Sequence, residues 1–310
     1  MNTKIKLFGI VLVGLALTFS SCRRRNVLPD YSTDFATASS DNARVGDGLD
    51  DQDNDVSLMT DATPSMSGRQ MSGAFNPLCN ATVVYDTLSN PKTVTITYNG
   101  LNCNGTRTRE GVVVLSLPLG VHFKDAGAVL TVTATHLKIT RVSDGKYIII
   151  NGSRQITNVS GGLVRDLATL GTITHEITSG GITVTFDDNT TRVWQVAKYR
   201  VFTYDNGVVA TTTGAATEGG FANVAEWGTV RNGQLFYAQI TAPMVVRQDC
   251  DWRLVSGQKM FHKMQRDVTV TFGLDANGNA TSCPAAGASY YMKAEWTDAH
   301  GDAHSVIRPY

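Results

Sequence analysis

From Ala81 onward, hydrophobic and polar residues alternate along the chain in short runs. In residues 94–98, 182–186 and 268–272, β-branched or aromatic residues alternate with Thr, as in Val-Thr-Ile-Thr-Tyr. A period of two is typical of strands with one buried and one solvated face, and β-branched residues favour strands. The pattern therefore predicts an all-β domain over residues 76–310.

Turn signals separate these runs. Asn-Gly readily adopts the positive φ angles that two-residue hairpins need, and residues 230–235 contain the clearest example. So many local hairpins favour a long antiparallel meander of roughly 14 strands, in one extended twisted or loosely rolled sheet. A β-sandwich is the alternative. The signals are Asn-Gly at 99–100, 104–105, 151–152, 206–207, 232–233 and 277–278, and Asp-Gly at 144–145.

Two interruptions of the alternation predict local irregularities. The apolar phase slips between Leu130 and Ile139, which indicates a β-bulge near Thr135. Residues 160–170 leave the period of two, and their leucines favour a short helix.

The N-terminus has a different pattern. Lys4 and Lys6 precede an apolar run over residues 7–19, which ends at Ser20, Ser21 and Cys22. A basic start, an apolar core of about 13 residues and small residues before a cut site predict a signal peptide over residues 1–21. The end of this segment resembles the lipobox of bacterial lipoproteins, which implies that Cys22 carries the lipid. An ordinary signal peptide with a chance cysteine is the alternative.

Residues 22–75 are rich in Ser, Asp, Ala and Asn, and we expect them to form an acidic flexible tether. Residues 26–75 contain nine Asp against Arg44 and Arg69. A short amphipathic helix is an option between Ser40 and Ala62, although two glycines weaken that prediction. Its apolar face would consist of Ala43, Val45, Leu49, Val56 and Met59.

Four cysteines remain besides Cys22, and in an exported protein an even number indicates disulfides. Cys79 and Cys103 lie at similar distances from the turn of a predicted hairpin, so we expect them to pair. Cys250 and Cys283 are then paired by their proximity in sequence, although four cysteines allow three connectivities. Their spacing matches no zinc motif.

Charge and composition restrict the partners. Residues 76–310 are near neutral and contain no basic stripe, which argues against nucleic acid as a partner. We expect no cofactor and no catalytic set, because the histidines at 122, 136, 175 and 262 lie in different predicted strands or turns. No nucleophile motif accompanies them, and the glutamates are scattered.

Two acidic segments have the residue types of a metal site. Asp51, Asp53 and Asp55 match the first positions of a calcium loop, but Val56 and Ala62 occupy positions that require Gly and Glu. A solvated acidic linker is the simpler interpretation. Near the C-terminus, polar residues of a hairpin turn are the simpler interpretation of the set Asp298, His300, Asp302 and His304. We therefore expect no metal.

Aromatic residues offer one binding hypothesis. Exposed tryptophans on a tethered sheet would suit stacking against sugar rings, whereas core packing is the alternative, and the alternation places Trp296 in the core. The other candidates are Trp194, Trp227 and Trp252, with Tyr199, Tyr204, Tyr290 and Tyr291.

The order of several motifs between Pro77 and Trp296 resembles an uncharacterised family of β-rich bacterial lipoproteins. These motifs occupy residues 93–111, 151–159, 231–233 and 242–250. The resemblance implies an antiparallel sheet with cysteine pairs at hairpin ends, and it implies no activity. We therefore expect a non-enzymatic envelope protein, lipid-anchored at the outer membrane, that is a structural or binding module. A glycan-binding surface lipoprotein is the alternative, an envelope hydrolase is the third option, and an envelope protein is a further potential partner.

Overall fold

A computed structural model describes residues 32–68, 77–250, 252–263, 266–283, 289–298 and 300–310. The predicted signal peptide and Cys22 lie outside these residues. Within them, three α-helices precede or interrupt fifteen strands, at Ser32–Ala62 (α1), Pro64–Ser67 (α2) and Leu167–Leu170 (α3). A 3-10 turn at Val164–Asp166 leads into α3, which confirms the short helix predicted over residues 160–170.

The strands confirm the all-β prediction. They are Ala81–Asp86 (β1), Lys92–Leu101 (β2), Arg107–Leu117 (β3), Ala128–Arg141 (β4), Tyr147–Asn158 (β5), Thr172–Phe186 (β6), Thr191–Tyr204 (β7), Val208–Gly214 (β8), Ala216–Glu218 (β9), Phe221–Thr229 (β10), Leu235–Arg247 (β11), Arg253–Lys263 (β12), Arg266–Leu274 (β13), Tyr291–Thr297 (β14) and Ala303–Pro309 (β15).

All described strands belong to one antiparallel sheet, which is the predicted meander rather than a sandwich of two sheets. The spatial order follows the chain from β1 to β7 and from β10 to β15. β8 and β10 share one place in this order, because each pairs with a different part of β7 and of β11. β9 is a short partner of β10.

Turns collect at two ends of the sheet. We call the end with the turns at 102–106, 142–146, 187–190 and 230–234 the upper end. The lower end holds the connections at 87–91, 118–127, 205–207 and 248–250. The Cys79–Cys103 disulfide lies at the upper end and Cys250–Cys283 at the lower end, so the two disulfides staple opposite ends.

Some dipeptides that predicted turns lie inside strands. Asn99-Gly100 is part of β2 and Asn151-Gly152 is part of β5, where the glycines have φ angles of 140° and 138°. At Gly152 the register with β6 shifts, so this glycine marks a bulge rather than a turn. The loop at 230–234 is also longer than the two-residue loop that the sequence predicted. A two-residue turn of this type needs positive φ at both central residues, and in this loop only Gly233 has one.

The predicted bulge near Thr135 is confirmed. The register between β4 and β5 shifts between Ala134 and Leu137, and His136 has a φ of 49°. Gly111 on β3 lies against this bulge, with a φ of 118°. A Cβ at Gly111 would lie 2.3 Å from the carbonyl oxygen of His136, so only glycine fits there without movement.

Helix α1 packs against one face of the sheet, which we call the inner face, and this corrects the prediction of a flexible tether for residues 41–68. Val45, Leu49, Val56 and Met59 are fully or nearly fully buried and belong to the main hydrophobic core together with strand residues. Gly48 permits a close approach, because a Cβ there would lie 3.2 Å from side-chain atoms of Ile139 and Ile148. The helix option between Ser40 and Ala62 is thus confirmed, with an earlier start.

Candidate functional site between the helix and the sheet

The inner face of β7 carries cations among apolar residues. Alternate residues of this strand, from Arg192 to Phe202, are buried, while most of those between them are half-buried or exposed. Strand periodicity explains this, because successive side chains point to opposite faces. The inward set comprises Arg192, Trp194, Val196, Lys198, Arg200 and Phe202. Buried cations need partners, and α1 supplies carboxylates to several strands of this face.

Asp53 is the best-connected of these carboxylates. Its Oδ1 accepts hydrogen bonds from Nε and Nη2 of Arg154 at 3.1 and 2.5 Å. Its Oδ2 accepts one from Nη1 of Arg200 at 3.2 Å. Arg154 also donates to the side-chain oxygen of Gln52. All four residues are buried, so Asp53 joins β5 and β7 to the helix.

Asp55, one half-turn further along α1, reaches β2 and β3. Tyr98 donates its hydroxyl proton to Oδ2 of Asp55 at 2.7 Å, and Arg109 donates to the same oxygen. The Arg109 guanidinium also lies 4.5 Å from the centre of the Tyr98 ring. Burial raises the pKa of Asp55, against the opposing effect of Arg109. Asp51 lies at the rim of this cluster, 3.4 Å from Arg109.

The stretch of α1 from Asp41 to Arg44 is held at the upper end. Arg231 donates two hydrogen bonds of 2.7 Å to the carboxylate of Asp41. Arg192 donates to the side-chain oxygen of Asn42 at 2.9 Å. Burial lowers the pKa of Arg192 to about 10, against the nearby charge of Asp41. Arg44 reaches outward from the helix to the carbonyl oxygen of Tyr147.

These contacts determine where the helix lies more than they add stability. Desolvation of a buried ion pair offsets much of its Coulomb energy, but removal of one partner leaves an uncompensated charge and costs about 3–5 kcal/mol. Because Asp41, Asp53 and Asp55 meet cations on separate parts of the sheet, namely the turn before β11 and the strands β5 and β3, a shift of α1 along its axis would separate all three pairs at once. The arrangement therefore specifies one register of helix on sheet.

A histidine lies beside this network. His175 on β6 is buried between the rings of Phe123 and Phe202, whose centres lie 5.2 and 5.0 Å away. Burial, with a further contribution from Arg200, lowers its pKa to about 4. Its Nε2 has no hydrogen-bond partner among the residues that the structure describes. His175 is thus neutral near pH 7 and packs as an aromatic residue.

The other histidines occupy separate parts of the sheet. His122 packs against Gly68 at the lower end, and His136 lies in the β4 bulge. His262 lies 2.8 Å from Asp267 and 3.1 Å from the side-chain oxygen of Gln239, and its ring stacks on another aromatic residue, Phe221. Among the scattered glutamates, Glu226 is buried beside Lys198 and Lys259, at 3.5 and 3.0 Å.

The residues that match a calcium loop in sequence do not have the geometry of a calcium site. Asp51, Asp53 and Asp55 lie on a helix, where they point to two separate sets of arginines. A calcium loop of this kind wraps its oxygens around one ion, which a continuous helix does not allow. The alternative interpretation, a solvated acidic linker, is wrong as well for Asp53 and Asp55, because both are buried.

The C-terminal set forms a hairpin turn. One oxygen of Asp298 accepts backbone N–H groups of His300 and Asp302 at 2.8 and 3.0 Å, and the other lies 3.0 Å from Nε2 of His304. The contact with His304 is the main cause that lowers the pKa of Asp298. These contacts give the carboxylate a structural role in the turn between β14 and β15.

The tryptophans do not line one groove. Trp194 is fully buried against Phe236, with ring centres 5.3 Å apart. Trp227 is half-buried and points to the opposite face of the sheet, while Trp252 is 37% exposed at the lower end. Trp296 packs against the main core, as predicted.

Both predicted cysteine pairs are confirmed. The Cα atoms of Cys79 and Cys103 lie 5.2 Å apart, and those of Cys250 and Cys283 lie 5.3 Å apart. Disulfides persist in oxidising compartments, so the pairs indicate a location outside the cytoplasm. Among the described residues, Asp249 lies with Cys250 and Cys283 within metal-binding reach, but the disulfide occupies both sulfurs. No helix in the described ranges has the length and apolar character needed to cross a bilayer.

The sequence analysis did not predict the buried arginines of the inner face, although the strand pattern contains a signal for them. Arg154 shares the inward phase of Ile148, Ile150 and Ile156 on β5, and Arg192 shares that of Trp194 on β7. A cation on the apolar phase of a strand indicates a buried acidic partner. The nine Asp of residues 26–75 were the available acidic partners.

Comparisons of this chain with protein-family models, curated proteins and solved structures found no match. The resemblance to β-rich bacterial lipoproteins therefore stays a prediction.

Proposed function

We propose that this chain is a lipid-anchored protein of the bacterial cell envelope, held at the outer membrane through Cys22, and that its β domain is a non-enzymatic structural or binding module. The proposal includes membership of the β-rich lipoprotein family that the motifs resemble. Its direct partner is the membrane, through the lipid, with a glycan or another envelope protein as the molecule that the domain meets.

One observation supports lipid attachment at Cys22. The chain has five cysteines, and the two disulfides use four of them. Cys22 therefore has no cysteine left in this chain with which to pair, and it directly follows the Ser20-Ser21 of a lipobox-like segment. The same disulfides support the proposal, because they indicate an oxidising compartment outside the cytoplasm and lipoproteins are exported from the cytoplasm.

The contacts between α1 and the inner face of the sheet support the proposal of a non-enzymatic module. The charged residues that α1 meets on the inner face are engaged in cross-links that position the helix, and Asp53 with Arg154 is the clearest case. His175, the buried histidine beside them, packs between two phenylalanine rings. These are roles in folding, which suits a rigid platform displayed at a surface.

A glycan-binding lipoprotein is the alternative, and it rests on Trp227 and Trp252, the tryptophans with exposed surface outside the core. Loss of binding to isolated envelope polysaccharide in a Trp227→Ala, Trp252→Ala variant would favour it. Unchanged binding in that variant would remove aromatic stacking at these two positions as its basis.

The anchor is tested by growth of cells with an alkyne fatty acid, followed by coupling to a dye. We expect label on the wild-type chain, none on Cys22→Ala, and full label on the matched Cys250→Ser, Cys283→Ser control. Protease added to whole cells then reports whether the domain is displayed at the surface. A wild-type chain without label would overturn the proposal.

A further inference from the structure

Helix α1 begins at the upper end of the sheet and leads to the lower end. In the first half of the helix, Arg44 donates to the carbonyl oxygen of Tyr147 at 2.6 Å and to Asp187 at 2.9 Å, and both partners lie at the upper end. In α2 and directly after it, the carbonyl oxygens of Met66 and Gly68 accept hydrogen bonds from Phe123 and Lys124 of the lower end. The direction of the helix is thus pinned at both ends.

The helix also extends beyond its first pinned residue. Asp41 is bound by Arg231, and α1 continues N-terminally from there to Ser32. Nine residues at 1.5 Å each place the start of the helix about 14 Å before Asp41 along the helix axis. The chain therefore reaches the sheet from beyond the upper end.

Few residues separate this point from the lipid attachment site. Ser32 follows Cys22 by ten positions, and ten residues span at most about 35 Å even when fully extended. A flexible tether over the whole of residues 22–75 would instead have allowed roughly 190 Å. The docked helix thus shortens the reach of the anchor several-fold.

The short connection does not allow the domain to stand with its lower end on the bilayer. Met66, which meets the lower end, follows Ser32 by 34 positions, or about 50 Å of helix at 1.5 Å per residue. With the lower end on the bilayer, Ser32 would therefore lie about 50 Å above it, beyond the 35 Å that the connection allows.

We propose that the upper end of the sheet faces the bilayer surface in which Cys22 is anchored, and that the lower end points away from it. The inference rests on the proposed lipid anchor. The orientation follows from the lipid and the direction of the helix, and ion pairs such as Arg141 with Asp144 and Arg231 with Asp188 lie at the upper end. A partner in the aqueous phase accordingly meets the lower end and the outer face.

Two asparagines provide a matched pair of probes. Asn232 and Asn277 are both exposed, both precede a glycine in a turn, and lie at the upper and lower end respectively. Because Cys22 carries lipid and the other cysteines are in disulfides, a dye reacts with the new thiol of Asn232→Cys or Asn277→Cys. The lipidated full-length chain is reconstituted in phosphatidylcholine vesicles that contain an acceptor dye on the headgroups.

We expect energy transfer to be several-fold more efficient from position 232 than from position 277. Insertion of 20 Gly and Ser residues between Arg25 and Asn26 lengthens the reach by about 70 Å and should reduce the difference. Equal transfer from both positions of a vesicle-bound chain, or stronger transfer from position 277, overturns the orientation and leaves the anchor intact. A chain that does not float with the vesicles overturns the anchor itself, and the orientation with it.

Discussion

Arg154 donates two hydrogen bonds to the carboxylate of Asp53, a residue 101 positions earlier in the chain. Both side chains are buried, and a second arginine, Arg200, holds the other carboxylate oxygen. This contact turns a segment with the composition of a linker into part of the core. It also makes the position of α1 depend on charge as well as on apolar packing.

Asp53→Ala should therefore destabilise the fold by about 3–5 kcal/mol, because it leaves two buried guanidinium groups without their carboxylate. The matched control is Asp51→Ala, which removes a more exposed carboxylate at the rim and should cost less than about 1 kcal/mol. Unfolding in urea, followed by circular dichroism, measures both. Equal effects of the two substitutions would contradict the role given to Asp53.

The lowered pKa of His175 predicts that the folded chain loses stability as the pH falls. Its pKa is about 4 in the folded chain and 6.5 in the unfolded chain, so the unfolded state takes up the proton first as the pH falls. Stability from this group is present above pH 6.5 and is lost between pH 6.5 and 4, to a total of about 3 kcal/mol.

His175→Leu should flatten the stability profile in that window when urea unfolding is repeated at several pH values. Asp55 acts in the opposite direction, because a raised pKa in the folded state favours folding as the pH falls. The comparison of wild type with His175→Leu removes this contribution, which both chains share. An unchanged slope between pH 6.5 and 4 would show that His175 does not cause it.

Gly111→Ala should disrupt the β4 bulge. The added Cβ meets the carbonyl oxygen of His136, and the φ of 118° is itself unfavourable for alanine, so we expect a loss of more than about 2 kcal/mol. Gly180→Ala is the control, since open space surrounds that position and its φ is not in the strained range. Its effect should stay within about 1 kcal/mol of zero. Thermal melts of the two variants separate the backbone contact from a general effect of glycine replacement.

The disulfides should contribute similarly despite their different positions. The paired cysteines are 24 and 33 residues apart, and loops of this size correspond to about 3 kcal/mol each. Two double variants test this, and both should lower the free energy of unfolding by nearly equal amounts. One combines Cys79→Ser with Cys103→Ser, and the other combines Cys250→Ser with Cys283→Ser.

Alkylation without reductant, read by intact mass, should label none of these four cysteines in the wild type. Labelling of all four would rule out the pairing.

Much of the sheet could be predicted because its signals are local. The alternation at 94–98 and 182–186 appears as β2 and the end of β6, and the phase slip near Thr135 appears as a bulge. The pairing of Cys79 with Cys103 follows from a hairpin that the chain forms with its nearest neighbours. Turn dipeptides were less reliable: Gly100 and Gly152 lie in strands, because a positive φ serves a bulge or a close approach as well as a turn.

The sequence by itself thus determined most strands, their antiparallel pairing and the Cys79–Cys103 disulfide, since each depends on residues that are adjacent or joined by a short turn. The tertiary structure alone decided what the acidic segment does. Asp41, Asp53 and Asp55 resemble a solvated linker in sequence, and only the course of the sheet around α1 brings Arg231, Arg154 and Arg109 to different sides of that helix. Periodicity does not contain that information, because a strand pattern gives the face of a side chain but not the distant segment that will cover it.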